Sequence, residues 1–161
     1  ALKSFSFIEA SEQQRIRQRF ERGGIDPSRI LLLPWAVDHE AHLAQYNEID
    51  VALDPIPYGG ATTTAEALWM GVPVICQQSK GMVGSLSASI LMSAGMTELI
   101  QEDAQTYINC ALIYYENGVR NNLDRQALIE HISSSNLNQP RRVSSQLESI
   151  FANYRSSLKS I

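Results

Sequence analysis

Short apolar runs alternate with stretches of helical spacing through the first hundred residues of this chain. Leu2 to Ile8 alternates apolar and Ser positions in the manner of a half-buried strand or its tail, while Ile30 to Leu33 is wholly apolar, as in a strand covered on both faces. Val51 to Leu53 and Val74 to Cys76 repeat that signal, and Leu99-Ile100 predicts a short edge strand. Between these runs, Ser11-Glu-Gln-Gln14 has capping-box form, Ile16 and Phe20 share a helix face, and Gly23-Gly24 ends the pattern. Asp38 predicts the cap of a helix carrying His39, Glu40, His42, Leu43 and Tyr46. Three threonines open another helix that Gly71 and Pro73 close. Ser85 or Ser87 starts the next, which ends near Gly95.

Beyond Asp103 the strand signals stop. Tyr107, Ala111, Ile113 and Tyr114 keep helical spacing, as do Leu123, Leu128, Ile129 and Ile132. A polar break from Ser133 to Pro140 precedes a last helix whose apolar stripe is Val143, Leu147, Ile150, Phe151 and Tyr154. Strands alternating with helices predict a parallel α/β sheet with helices on both faces, in a single domain over residues 1–161 whose portion 103–161 is mainly helical.

In open parallel sheets, ligands bind beyond the carboxyl ends of the strands. That rule sends Pro34 to His42, Asp54 to Glu66 and Gln77 to Ser85 to one crevice. The middle segment lies in a strand, glycine loop, helix, strand unit from Ile49 to Ile75. N–H groups in the first helical turn lack intrahelical partners, and the aligned peptide dipoles make the spot hospitable to an anion. Gly59 and Gly60 permit positive φ and close approach of a ligand to the main chain. Thr62, Thr63 and Thr64 add hydroxyls, and Glu66 shares a helix face with Thr62. A phosphate at the turn and a ribose diol at Glu66 would use every one of these groups. The alternative is structural: a capping Thr, a glycine turn and a Glu complementing the dipole. His42 is placed to stack on a base or to bond a phosphate, while His39 faces elsewhere at about 100° per residue. A His39-His42 metal pair lacks further ligands.

Composition narrows the class. The 161 residues are 44% hydrophobic and 19% charged, an ordinary globular balance. A net charge of -4 and a pI near 5.3 argue against a nucleic-acid partner. The one dense basic stretch, Arg15 to Arg22, is interleaved with Glu12 and Glu21 as a solvated face. Cys76 and Cys110 are too few and too far apart for a zinc site and read as reduced core residues. No apolar run approaches about 20 residues, so no membrane partner is expected, and the chain start lacks signal-peptide order. The cytosol is the expected compartment.

Asp54 through Val74, with Gly-Gly, Thr-Thr, Leu-Trp and Gly-x-Pro-Val in register, resembles the nucleotide-sugar motif of the O-linked N-acetylglucosamine transferase family, including its SPINDLY-type and bacterial tetratricopeptide relatives. Arg29 to Tyr46 and Ser87 through Ile100 match as well, so the similarity covers most of the chain.

The resemblance implies the C-terminal, donor-binding half of a GT-B glycosyltransferase with Rossmann-like halves, inverting and independent of metal or other cofactor. The donor would be a UDP- or GDP-sugar and the acceptor protein Ser or Thr. A sister branch glycosylates Asn. Carried over by residue, His42 packs near the base, Val37 offers backbone groups to it, Thr62 and Thr63 hold the diphosphate beside Gly60, and Glu66 binds ribose. Ala61 stands where family members carry a histidine beside the diphosphate, and His39 replaces a lysine near the nucleotide. The family's half begins with a strand and helix before the equivalent of Leu2-Lys3. The chain is therefore expected to be a fragment that meets its acceptor through an absent N-terminal half and associates with itself. The alternative is a nucleotide-binding or scaffold module without transfer activity.

Overall fold

The structure, a computed structural model, describes residues 1–116 and 125–158. Among the described residues are five short strands: β1 (Leu2–Lys3), β2 (Leu32–Leu33), β3 (Ala52–Leu53), β4 (Val74–Gln77) and β5 (Ile100–Gln101). Its helices are α1 (Ala10–Arg22), α2 (His39–Ala44), α3 (Thr62–Trp69), α4 (Met82–Ala94), α5 (Ala104–Glu116), α6 (Arg125–Ser134) and α7 (Pro140–Leu158). Every ladder is parallel, as each strand reaches the next through a helix.

The strands form two sheets rather than one. β1 pairs with β2, and β3, β4 and β5 pair in that order. Between β1 and β3 lies a cleft of about 240 Å³, walled by Leu2 and Lys3 on one side and Ala52 and Leu53 on the other. The Leu2 and Ser4 N–H groups donate to the carbonyls of Leu31 and Leu33, and those of Ala52 and Asp54 donate to the carbonyls of Pro73 and Ile75. By the alternation of a parallel ladder, the peptide groups of Lys3 and Leu53 then face the cleft.

The core is centred on β4, whose Val74, Ile75 and Cys76 are buried against Leu68 of α3, Leu91 of α4 and Leu99. Leu128 and Ile132 of α6 close the same cluster. Arg125 fastens α6 to the rest, donating to the Tyr46 and Met70 carbonyls at 3.2 and 3.3 Å and also to that of Ile49. Gly71 has φ +71°, and a Cβ there would lie 2.7 Å from the Arg125 carbonyl. Only glycine suits both the conformation and the space.

Several local expectations change. The first strand stops at Lys3, and Phe5–Ile8 is a 3₁₀ turn in which Phe7 is buried. α1 begins at Ala10, upstream of Ser11, so the capping box does not form. Only Leu32 of the Ile30 to Leu33 run is buried; Leu31 is exposed, so that strand is not covered on both faces. α4 starts at Met82 after Gly81 at φ +92°, not at Ser85 or Ser87. Leu123 lies outside the described residues. The stripe on α7 exists, but Val143, Leu147, Ile150, Phe151 and Tyr154 are all exposed.

Candidate functional site

The loop between β3 and α3 is pinned from two sides. Asp54, buried at the end of β3, accepts the Gly60 N–H at 2.8 Å through Oδ1. Ser87 of α4 donates its hydroxyl proton to the Gly60 carbonyl at 2.7 Å, so the 3.0 Å contact between Ser87 and Thr64 must be donated by Thr64. A Cβ on Gly59 would fall 2.8 Å from Asp54 Oδ2, and one on Gly60 would fall 2.5 Å from Thr63 Oγ1. Neither glycine has positive φ. Close packing, not left-handed backbone, is what requires glycine here. Asp54 also charges the neighbourhood: burial, with this carboxylate adding to it, pushes the Cys76 thiol up to about 11.

Helix α3 begins without a side-chain cap, because the N-cap residue is Ala61. No threonine fills that role, so the first-turn N–H groups have no capping hydroxyl. Thr62 and Thr63 are exposed there. Thr64 is buried and committed to Ser87, which removes it from the set of hydroxyls available to a ligand.

One turn along α3, Glu66 meets α2. His42 Nε2 lies 2.9 Å from Glu66 Oε2, with both side chains largely buried. Tyr46 donates its hydroxyl to the Thr63 carbonyl at 3.2 Å and lies 3.5 Å from the same Glu66 oxygen. Burial first, and then the Glu66 charge, pushes the Tyr46 phenol up to about 12. On its other side His42 Nδ1 contacts the Lys3 ammonium. Its ring centroid is 6.5 Å from Trp35 and 6.0 Å from His39, with the His39 ring nearly parallel at 25°. His39 therefore joins His42 instead of facing elsewhere, because residues three apart on a helix are angular neighbours. Asp38 caps α2 as expected, accepting the Ala41 N–H at 2.8 Å.

These elements enclose a crevice of about 460 Å³ at the carboxyl ends of β2 and β3. Val37, His39, His42, Thr62, Thr63 and Glu66 all line it, together with Trp35. Gly60 and Ala61 form the turn leading into it and are not among its lining residues. The segment Gln77 to Ser85 contributes nothing to the lining, contrary to the three-loop expectation; its chain folds on itself, with Ser79 donating to the Gly84 carbonyl. Sequence reasoning passed over Lys3, Tyr46 and Asp54 as site residues. The available signal was position: Lys3 and Asp54 stand at the carboxyl ends of strands, where ligand-binding side chains gather.

Parallel strands joined by crossover helices, with a crevice at the carboxyl ends of the strands, define a Rossmann-like α/β fold. The chain belongs to glycosyl transferase family 41, whose family model matches residues 4–147. It is 31% identical over 140 residues to the tomato (Solanum lycopersicum) protein described as probable UDP-N-acetylglucosamine–peptide N-acetylglucosaminyltransferase SPINDLY, covering 84% of this chain and 15% of that one. It is 30% identical over 100 residues to the Caenorhabditis elegans UDP-N-acetylglucosamine–peptide N-acetylglucosaminyltransferase, covering 62% and 9%. Among solved structures it resembles the K341M mutant of Thermobaculum terrenum O-GlcNAc transferase, with a TM-score of 0.75, 33% identity, and coverage of 93% and 29%. The chain thus spans less than a third of the relatives that it matches.

Proposed function

We propose that this chain is the donor-binding half of an inverting glycosyltransferase that moves a sugar from a UDP- or GDP-sugar to Ser or Thr of proteins. The observation that carries this reading is the single crevice shared by Val37, His39, His42, Thr62, Thr63 and Glu66. The uncapped start of α3 meets the diphosphate there, the second oxygen of Glu66 meets the ribose, and the aromatic group around His42 meets the base. Negative charge that develops as the nucleoside diphosphate leaves is stabilised by the α3 N–H groups and the Thr62 and Thr63 hydroxyls. In this reading no divalent ion or other cofactor takes part.

The acceptor protein meets the donor through a partner half outside these residues, so the chain alone transfers nothing. Two free cysteines, Cys76 and Cys110, suit a reducing compartment such as the cytosol. No helix among the described residues is long and apolar enough to cross a membrane. Calorimetric titration with UDP tests the binding half of the proposal, and UDP-sugar hydrolysis by the full-length protein tests the chemistry. Ala61, which brings only a methyl group to the start of α3, favours the second reading, a binding module without transfer. UDP binding with no hydrolysis or transfer would establish that reading instead.

A further inference from the structure

Lys3 has no place in the crevice lining, yet its ammonium reaches His42, which does line the crevice. It is the last residue of β1, held by the ladder to Leu33, so the strand register fixes where its side chain leaves the sheet. The side chain crosses to α2, contacts His42 Nδ1, and passes 5.7 Å from the centre of the Trp35 ring. Burial lowers the Lys3 pKa, and the Glu66 charge opposes that fall.

An ammonium has donors and no acceptor, so Nδ1 of His42 must accept from Lys3. The ring proton then resides on Nε2, which faces the Glu66 carboxylate at 2.9 Å. Three residues from three elements thus form one directed chain: Lys3 donates to His42, and His42 donates to Glu66. An imidazole bonded at both nitrogens cannot flip, and its plane is set against Trp35, His39 and Tyr46.

We propose that Lys3 is a positioning residue for nucleotide recognition, tethering Nδ1 of His42 so that the plane of the ring and, through it, the orientation of the Glu66 carboxylate are fixed. The inference rests on the nucleotide-binding reading of the crevice. Lys3 itself touches no ligand in this account. It acts through the imidazole, as outer partners of functional histidines generally do.

The test uses the chain as it stands, with Lys3→Met and Lys3→Arg variants. Long-range ¹H–¹⁵N spectra of the ligand-free proteins report which imidazole nitrogen carries the proton, and calorimetry with UDP reports affinity. In the unsubstituted chain His42 should show an Nε2–H tautomer. Because Glu66 still accepts from Nε2, Lys3→Met should keep the Nε2–H tautomer, move the Nδ1 resonance to that of an unbonded acceptor, and weaken UDP binding on the order of tenfold, as expected for loss of a charge-assisted bond. Lys3→Arg, which keeps a donor, should recover most of both. An unchanged Nδ1 resonance in Lys3→Met would overturn the proposal, and so would a changed resonance with unchanged UDP affinity. If the unsubstituted chain binds no UDP, the nucleotide reading fails by itself. The role in recognition then falls with it, while the spectra still decide whether Lys3 orients His42.

Discussion

Asp54 and Gly60 hold each other across the turn that opens α3: the carboxylate accepts the Gly60 N–H at 2.8 Å, and a Cβ on Gly60 would sit 3.1 Å from the same oxygen. The same Cβ would meet Thr63 and Thr64 hydroxyls at 2.5 and 2.8 Å. Gly60→Ala is therefore expected to cost about 1–3 kcal/mol through overpacking and to displace Thr63 from the crevice. Asp54→Ala should cost about 1–3 kcal/mol by leaving the Gly60 N–H without its partner. Urea denaturation of both variants checks the figures, and a midpoint unchanged from the parent in either one would contradict the packing described.

Thr62 and Thr63 are exposed, whereas Thr64 is buried against Ser87. The Thr62→Ala, Thr63→Ala double variant should lose UDP affinity with stability changed by less than about 0.5 kcal/mol per site. Thr64→Val should do the reverse, lowering stability while a folded sample still binds UDP. Paired calorimetry and denaturation separate the two, and equal UDP affinity in the double variant and the parent would refute the diphosphate assignment.

Chelation is a third discriminator. With charge on the leaving group met by N–H groups and hydroxyls, EDTA should leave UDP binding, and transfer by the full-length protein, at their original levels. Activity that disappears with EDTA and returns with Mg²⁺ or Mn²⁺ would refute this.

Two phenols, Tyr46 and Tyr107, are pushed up to about 12 from an ordinary value of 10.0, in both cases chiefly by burial, with Glu66 acting on Tyr46 and Asp54 on Tyr107. Because the folded values are the higher ones, the unfolded chain releases these protons first. The stabilisation linked to these two phenols is complete below pH 10 and is lost as pH rises from about 10 to about 12. Absorbance at 295 nm should show Tyr46 and Tyr107 ionising late, or only as the protein unfolds, with Tyr114, whose phenol burial also raises, delayed in the same direction. Tyr46→Phe should flatten part of the alkaline loss. A single titration of all tyrosines near 10 would contradict the burial.

The cleft between β1 and β3 leaves both strands with an unladdered edge, and such edges recruit further strands. The isolated chain is expected to associate with a second copy, measured by size exclusion with light scattering. A strictly monomeric chain over the micromolar range would show that the edges are protected.

How much of this was legible beforehand depends on the range of the interaction. The order of strands and helices was readable because hydrophobic period and turn residues are local, and so was the Asp38 cap, which bonds three residues ahead. The convergence of His42, Thr62, Thr63 and Glu66 on one crevice followed from the rule for open parallel sheets and from the family motif. The bonds that shape the crevice were not readable. Lys3 meets His42 across 39 residues and Ser87 meets Gly60 across 27, and no periodicity encodes such pairs. For the same reason Gly60 looked like a conformational glycine, although long-range packing by Asp54 and Thr63 is what excludes a side chain there.

His42 borders two hollows at once, the crevice of about 460 Å³ and the cleft of about 240 Å³ beside β1. Its ring is wall to both, as is Thr63. Trimming the ring to alanine would remove apolar and polar surface from both spaces at once. A fall in nucleotide affinity in His42→Ala would then mix the loss of an imidazole with the loss of a wall. His42→Phe, which keeps a flat ring on both walls and discards both ring nitrogens, is the substitution that isolates the chemistry from the architecture.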